Sequence, residues 1–228
     1  MSKSKSIIGV LQKHYQSISP VFKLGIGQKD IVPMDFTDRN EALKEIDISD
    51  TEAFEEYIKG LLEGYKFVGI GGYNEDRFIY RRSALFDGER EPRSIHLGTD
   101  VWVPENTKIY NPLDAKVHSF HDNDNYGDYG GTIILEHELE GIVFYTLYGH
   151  LSKNSLSGLH EGKTIREGEP FAFIGNSQEN GQWPPHLHFQ LISDMLDKKG
   201  DFFGVAPPSE RAYYLELCLD PEHILKIR

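Results

Sequence analysis

The segment His186-Leu187-His188-Phe189-Gln190-Leu191 alternates strictly between side chains that can bind a metal or a proton and side chains that cannot. In an extended strand successive residues face opposite ways. His186, His188 and Gln190 then share one face, and Leu187, Phe189 and Leu191 share the other, which belongs to a core. The polar face presents two imidazoles about 7 Å apart at their α-carbons, from a rise of roughly 3.4 Å per residue. That separation suits one ring on a metal and the other on the substrate side of it. Standing alone, the same motif also fits two surface histidines on a half-buried strand.

A second segment, His96-Leu97-Gly98-Thr99-Asp100, runs into Val101-Trp102-Val103. Its histidine and carboxylate can converge across a bend entering a strand, where glycine relaxes the backbone limits. Together the two segments offer two histidine ligands and one aspartate. A set of three N and O ligands leaves a fourth zinc position open, as in catalytic rather than structural sites. Zinc is the default metal, because Mg²⁺ and Ca²⁺ make little use of imidazole. A third segment, Tyr148-Gly149-His150-Leu151, ends an expected strand on a histidine where a loop begins.

The elements that must carry these residues divide the chain into three regions. Residues 1–90 read as a mixed α/β extension with no evident chemistry. In it a short apolar segment, Ile7 to Leu11, precedes a helix over Glu52 to Gly64, with Asp50 as N-cap and Phe54, Tyr57, Ile58, Leu61 and Leu62 at helical spacing. Residues 91–192 read as β structure. Ala115 to Phe120, Thr132 to His137, Ile142 to Tyr148, Pro170 to Ile174 and His186 to Ile192 are short β-branched and aromatic runs punctuated by Gly, Asn and Asp. Residues 193–228 read as a tail that packs on the core, with a helix over Tyr213 to Leu219. The expected class is mainly β, with a compact sandwich or barrel-like core.

Bulk properties exclude several functions. Of 228 residues, 24 are Lys or Arg and 36 are Asp or Glu, a net charge of -12, which disfavours nucleic acid and anionic membranes as partners. No stretch reaches membrane-spanning length. The lone Cys218 supports neither an internal disulfide nor a cysteine-rich metal site. The apolar part of the N-terminus is too short for a signal peptide, so a cytoplasmic location is expected, or export if a leader has been removed.

The three segments IHLGTD, TLYGHL and PPHLHFQL resemble, in order and separation, the motifs of the lysostaphin-like (LytM-type) zinc metalloendopeptidases. GKTIREGEPFAFIGNS resembles the glycine turn and apolar strand between the second and third of them. The resemblance covers about residues 91–192. It implies an antiparallel β fold of the duplicated hybrid motif type with a groove. It also implies His96, Asp100 and His188 as zinc ligands, and His150 and His186 as catalytic histidines beside them. One of that pair would act as general base towards an activated water, and the other would steady the oxyanion. The implied substrate is a peptide of the peptidoglycan or glycine-rich type. The alternatives are a small non-cell-wall amide and a non-enzymatic binding module. Pro184-Pro185, Gln190 and Gly130-Gly131-Thr132-Ile133 depart from the family pattern without touching the five chemical positions. The flanking segments GGYNEDRFIYRRSALF and GDFFGVAPPSERAYYLELCLDPEHIL resemble versions of the domain fused to class III aminotransferases.

Other histidines read as bystanders. His118 and His121 fall in HSFHDNDNYGDYGG, a solvated hairpin loop whose calcium-like spacing lacks the closing glutamate. His137, between Glu136 and Glu138, reads as a strand-surface residue. Gly69-Ile70-Gly71-Gly72 lacks the third glycine of a dinucleotide fingerprint, and no helical zinc motif is present. Tyr126 and Tyr148 are second-rank candidates for hydroxyls near the site.

Overall fold

The computed structural model describes residues 2–88 and 91–227. Its helices follow their sequence signals. Helix α1 (Lys3–His14) starts where the Ser2 hydroxyl accepts from Lys5 N, and it buries Ile7, Val10 and Leu11 on one stripe. Helix α2 (Thr51–Leu61) starts where the Asp50 carboxylate accepts from Glu52 N and Ala53 N, and it buries Phe54 and Ile58.

The strands are β1 (Ile31–Met34), β2 (Val68–Gly71), β3 (Ile95–His96), β4 (Thr99–Trp102), β5 (Lys108–Tyr110), β6 (Ala115–Asn123) and β7 (Gly130–Leu139). They continue with β8 (Ile142–Leu151), β9 (Thr164–Ile165), β10 (Pro170–Phe173), β11 (Leu187–Ile192), β12 (Val205–Ala206) and, after the short helix α3 (Arg211–Leu217), β13 (Cys218–Leu219). One large sheet runs β1-β2-β4-β11-β8-β7-β6-β9, with β13 added beside β11. Two ribbons, β5–β10 and β3–β12, flank it.

The class is mainly β, as expected, but the large sheet is open rather than closed into a barrel. One pair in it is parallel, β1 with β2; β2 then joins β4 antiparallel. The N-terminal region thus extends the sheet that carries the site. One face of the central strands packs Val101, Ile133, Leu135, Leu187, Phe189 and Leu191 against α1 and the tail. Beside the other face lies an aromatic cluster of Phe36, Phe54, Trp102 and Trp183.

Two local readings change. The tail helix ends at Leu217, because Cys218 and Leu219 pair with Ile192 and Leu191 and so continue the sheet. His137 is buried, 1% exposed, rather than on the surface. Alternation explains this: Glu136 and Glu138 share the outer face, so the residue between them turns inward. There His137 stacks on Phe144, and its ring nitrogens bond Asp114 O at 3.2 Å and Thr146 Oγ1 at 2.8 Å.

Burial pushes the His137 imidazole down from 6.5 to about 4. The fold therefore favours its neutral form. Its contribution is complete above about pH 6.5 and is lost as pH falls through the folded value. We expect His137→Asn to flatten the dependence of unfolding free energy on pH between 6.5 and 4, measured by denaturant titration. An unchanged slope would show that other groups carry the acid sensitivity.

Candidate active site

The sheet brings the three motifs together because β11 lies between β4 and β8. Asp100 is paired across β4–β11 with His188, and His188 is paired across β11–β8 with Gly149, the neighbour of His150. Alternation along β11 turns Leu187 and Phe189 into the core and leaves His188 and Gln190, like His186 before them, on the opposite face. His96 arrives from β3 through Gly98. The reason for that glycine is space rather than backbone freedom. A β-carbon there would lie 2.7 Å from His188 Cε1 and 2.7 Å from Phe189 O.

His96 Nε2 lies 3.1 Å from His188 Nδ1, and Asp100 Oδ1 lies 3.1 Å from His188 Nδ1 and 3.3 Å from His96 Nε2. All three residues are buried. Their outer nitrogens are already committed. His96 Nδ1 donates to Gly72 O at 2.8 Å, and His188 Nε2 donates to Gln190 Oε1 at 2.8 Å. The Gln190 amide is itself oriented, since its Nε2 donates to Phe203 O and Cys218 Sγ. Each imidazole thus carries its proton on the outside and turns a lone pair inward. Two lone pairs and a carboxylate oxygen at this separation have no proton to share, and a cation satisfies them. Ligands about 2.0–2.2 Å from a tetrahedral zinc stand roughly 3.3 Å apart, so the donor set fits zinc.

His150 and His186 follow the same rule. His150 Nδ1 donates to Asn180 O at 2.9 Å, and His186 Nδ1 donates to Pro184 O at 2.7 Å. Their ring centroids are 4.2 Å apart, and His186 Nε2 lies 3.9 Å from Asp100 Oδ1. His186 stacks on Trp102. His150 sits at φ +61°, an uncommon backbone for a side chain of this kind, fixed by its N–H on Tyr129 O and its carbonyl on Gly175 N. Burial pushes His186 down to about 4, and burial together with the neighbouring imidazoles pushes His150 well below its usual range. Burial also pushes His96 to about 4. Burial alone would raise the Asp100 carboxyl, but His96 and Arg77 outweigh it and hold it well below the carboxylate range.

Arg77, in the region read as devoid of chemistry, is the main residue that the sequence did not disclose. It is 2% exposed, and its Nη1 binds Asp100 Oδ2 while its Nε donates to Glu75 Oε2 at 2.8 Å. Occupying Oδ2 leaves Oδ1 for the ligand set. No motif marks Arg77. Only the antiparallel pairing of β2 with β4 carries the chain just before it to Asp100. Tyr129 is a second such residue. A β-carbon on Gly149 would clash with its ring at 2.7 Å and one on Gly204 with its hydroxyl oxygen at 1.8 Å, and that hydroxyl donates to Gln190 Oε1 at 3.0 Å. Tyr126 and Tyr148 do not join the site. Tyr126 bonds Ser49 O and Arg82, and Tyr148 lies in the core. His118 packs on Tyr145, away from the ligand set.

A cavity of about 190 Å³ opens onto these groups. Arg77, Asp100, His150, His186 and His188 face it, with an aromatic wall that includes Tyr80, Phe86, Tyr129 and Trp183. Among the described residues no helix is long and apolar enough to cross a membrane.

No curated protein matches the chain. Among solved structures it is similar to a zinc-containing peptidase from Vibrio cholerae, with 27% identity and a TM-score of 0.36 over 46% of this chain and 29% of that one. It is similar to a putative peptidase M23 from Pseudomonas aeruginosa, with 22% identity and a TM-score of 0.38 over 57% of this chain and 43% of that one. The catalytic domain of lysostaphin from Staphylococcus simulans is 21% identical, with a TM-score of 0.37 over 53% of this chain and 80% of that domain. The chain thus spans less than half the length of the first two. The family model described as peptidase family M23 matches residues 94–199, the stretch that holds all five histidine and aspartate positions. The three sequence motifs, IHLGTD, TLYGHL and PPHLHFQL, all fall inside the stretch that this family model matches.

Proposed function

We propose that the chain is a zinc-dependent peptidase that cleaves a peptide or closely related amide bond through an activated water. His96, Asp100 and His188 would hold the zinc, and His150 and His186 would handle the proton and the developing oxyanion. The observation that carries this reading is the set of four buried imidazoles, each with its outer N–H on a carbonyl oxygen; the inner nitrogen of His96 meets His188 and Asp100, and His150, His186 and His188 line the cavity. The family match supports the peptidase class.

Bound zinc supplies Lewis acidity, which lowers the pKa of water from 15.7 to about 7. The remaining work falls to side chains of this chain. Nε2 of His150 or of His186 takes a proton and returns it to the leaving amine, and a ring depressed by burial gives that proton up readily. The other ring donates to the oxyanion when it enters the reaction protonated on Nε2 as well as Nδ1. Arg77 keeps Asp100 ionised and turned. The aromatic wall gives the cavity an apolar side against which a substrate can pack.

Metal analysis of the full chain, stripped and then reloaded, is the direct test. We expect about one zinc per chain in the wild type, lost in folded His96→Ala, Asp100→Ala and His188→Ala variants together with hydrolysis. A wild type that takes up no zinc would overturn the reading. His150→Ala and His186→Ala should retain zinc but lower kcat on a cleaved peptide or amide by about 10²–10⁴-fold. A loss of zinc in either would move that histidine into the ligand set. Gln190→Leu frees the outer nitrogen of His188, and chelator competition should show zinc affinity weakened by about 10–100-fold. An unchanged affinity would mean that the glutamine does not orient the ligand.

A further inference from the structure

The cavity is partly covered by the stretch of chain that follows Arg77, and further on Ser94 N donates to Ala206 O at the sheet. Two short helical turns, Phe78–Arg82 and Ala84–Phe86, form its roof, and Ile79, Tyr80, Leu85 and Phe86 face inward. The roof is clamped. Arg82 is 6% exposed; its Nη2 donates to Gln182 O at 3.0 Å and to Thr51 Oγ1 at 3.3 Å, and its Nε donates to Tyr126 Oη at 3.1 Å. Its guanidinium also lies 4.5 Å from the Trp183 ring centre. On the far side Arg93 binds Leu85 O and lies over Phe86.

Cleaving an interior bond of a long chain needs a groove open at both ends. This site instead offers about 190 Å³ beneath a clamped roof, below the roughly 300–1,000 Å³ of ordinary ligand pockets. The lining also carries charge of both signs, Arg93 and Lys198 against Asp128 and Asp201, which suits the free ends of a small zwitterion. We propose that the site takes short free peptides, of dipeptide size, held whole beneath the roof, and excludes the interior of long or cross-linked chains. This inference rests on the peptidase reading.

The chain contains two tryptophans, and both line the cavity, so their fluorescence reports its occupancy directly. The test is stopped-flow fluorescence of the zinc-loaded full chain, read before turnover, with free dialanine and with pentaalanine blocked at both ends. Dialanine should half-saturate the signal at a concentration at least about tenfold lower than blocked pentaalanine, a difference of about 1.4 kcal/mol. Phe86→Ala should narrow that gap by opening the roof, and Leu85→Ala serves if the first variant does not fold. Equal binding of both peptides to the wild type would overturn the size restriction and leave the peptidase reading intact. No response to any peptide from folded, zinc-loaded protein would overturn both.

Discussion

The site depends on one arrangement: four buried imidazoles give their outer N–H groups to oxygens fixed by the fold, namely Gly72 O, Asn180 O, Pro184 O and the Gln190 amide. A histidine left free to choose its tautomer, or to take a proton, would present a donor where an acceptor is needed. Here burial favours the neutral ring and the carbonyls decide which nitrogen is bare. Three of these acceptors are backbone or backbone-adjacent groups on loops, so loop shape and ring chemistry are the same constraint.

Charge follows from that neutrality. With the imidazoles uncharged, the ionised carboxylate of Asp100 would stand in a nearly dry interior, and Arg77 answers it on the oxygen that the imidazoles do not use. Glu75 in turn shares Arg77. A buried pair of this kind needs every remaining donor met, and Gly72 O and Tyr80 Oη lie within reach of the guanidinium at 3.4 Å. The N-terminal region is therefore part of the site's electrostatics as well as an extension of its sheet.

The legible part of the site was local. Strict alternation marked the polar face at His186, His188 and Gln190, and the strand runs around it lie within a few residues of the observed β6, β7, β8, β10 and β11. What escaped was whatever depends on distant contact. Arg77 stands in a run, DRFIYRR, whose basic character reads as surface. No sequence signal singles out Tyr129, because the slot that seats it is made by glycines 20 and 75 positions further on, Gly149 and Gly204. His137 is different: its burial was available from the same alternation that placed His188, and the flanking glutamates drew attention to the wrong face.

The orientation of Gln190 ties the site to chain outside its motifs. The groups that turn the glutamine, Phe203 O and Cys218 Sγ, lie beyond the last motif residue, Leu191, the second of them on the strand that docks beside β11. The three motifs are thus not self-sufficient: the strand docked beside β11 supplies one of the groups that keep the Gln190 amide turned toward His188.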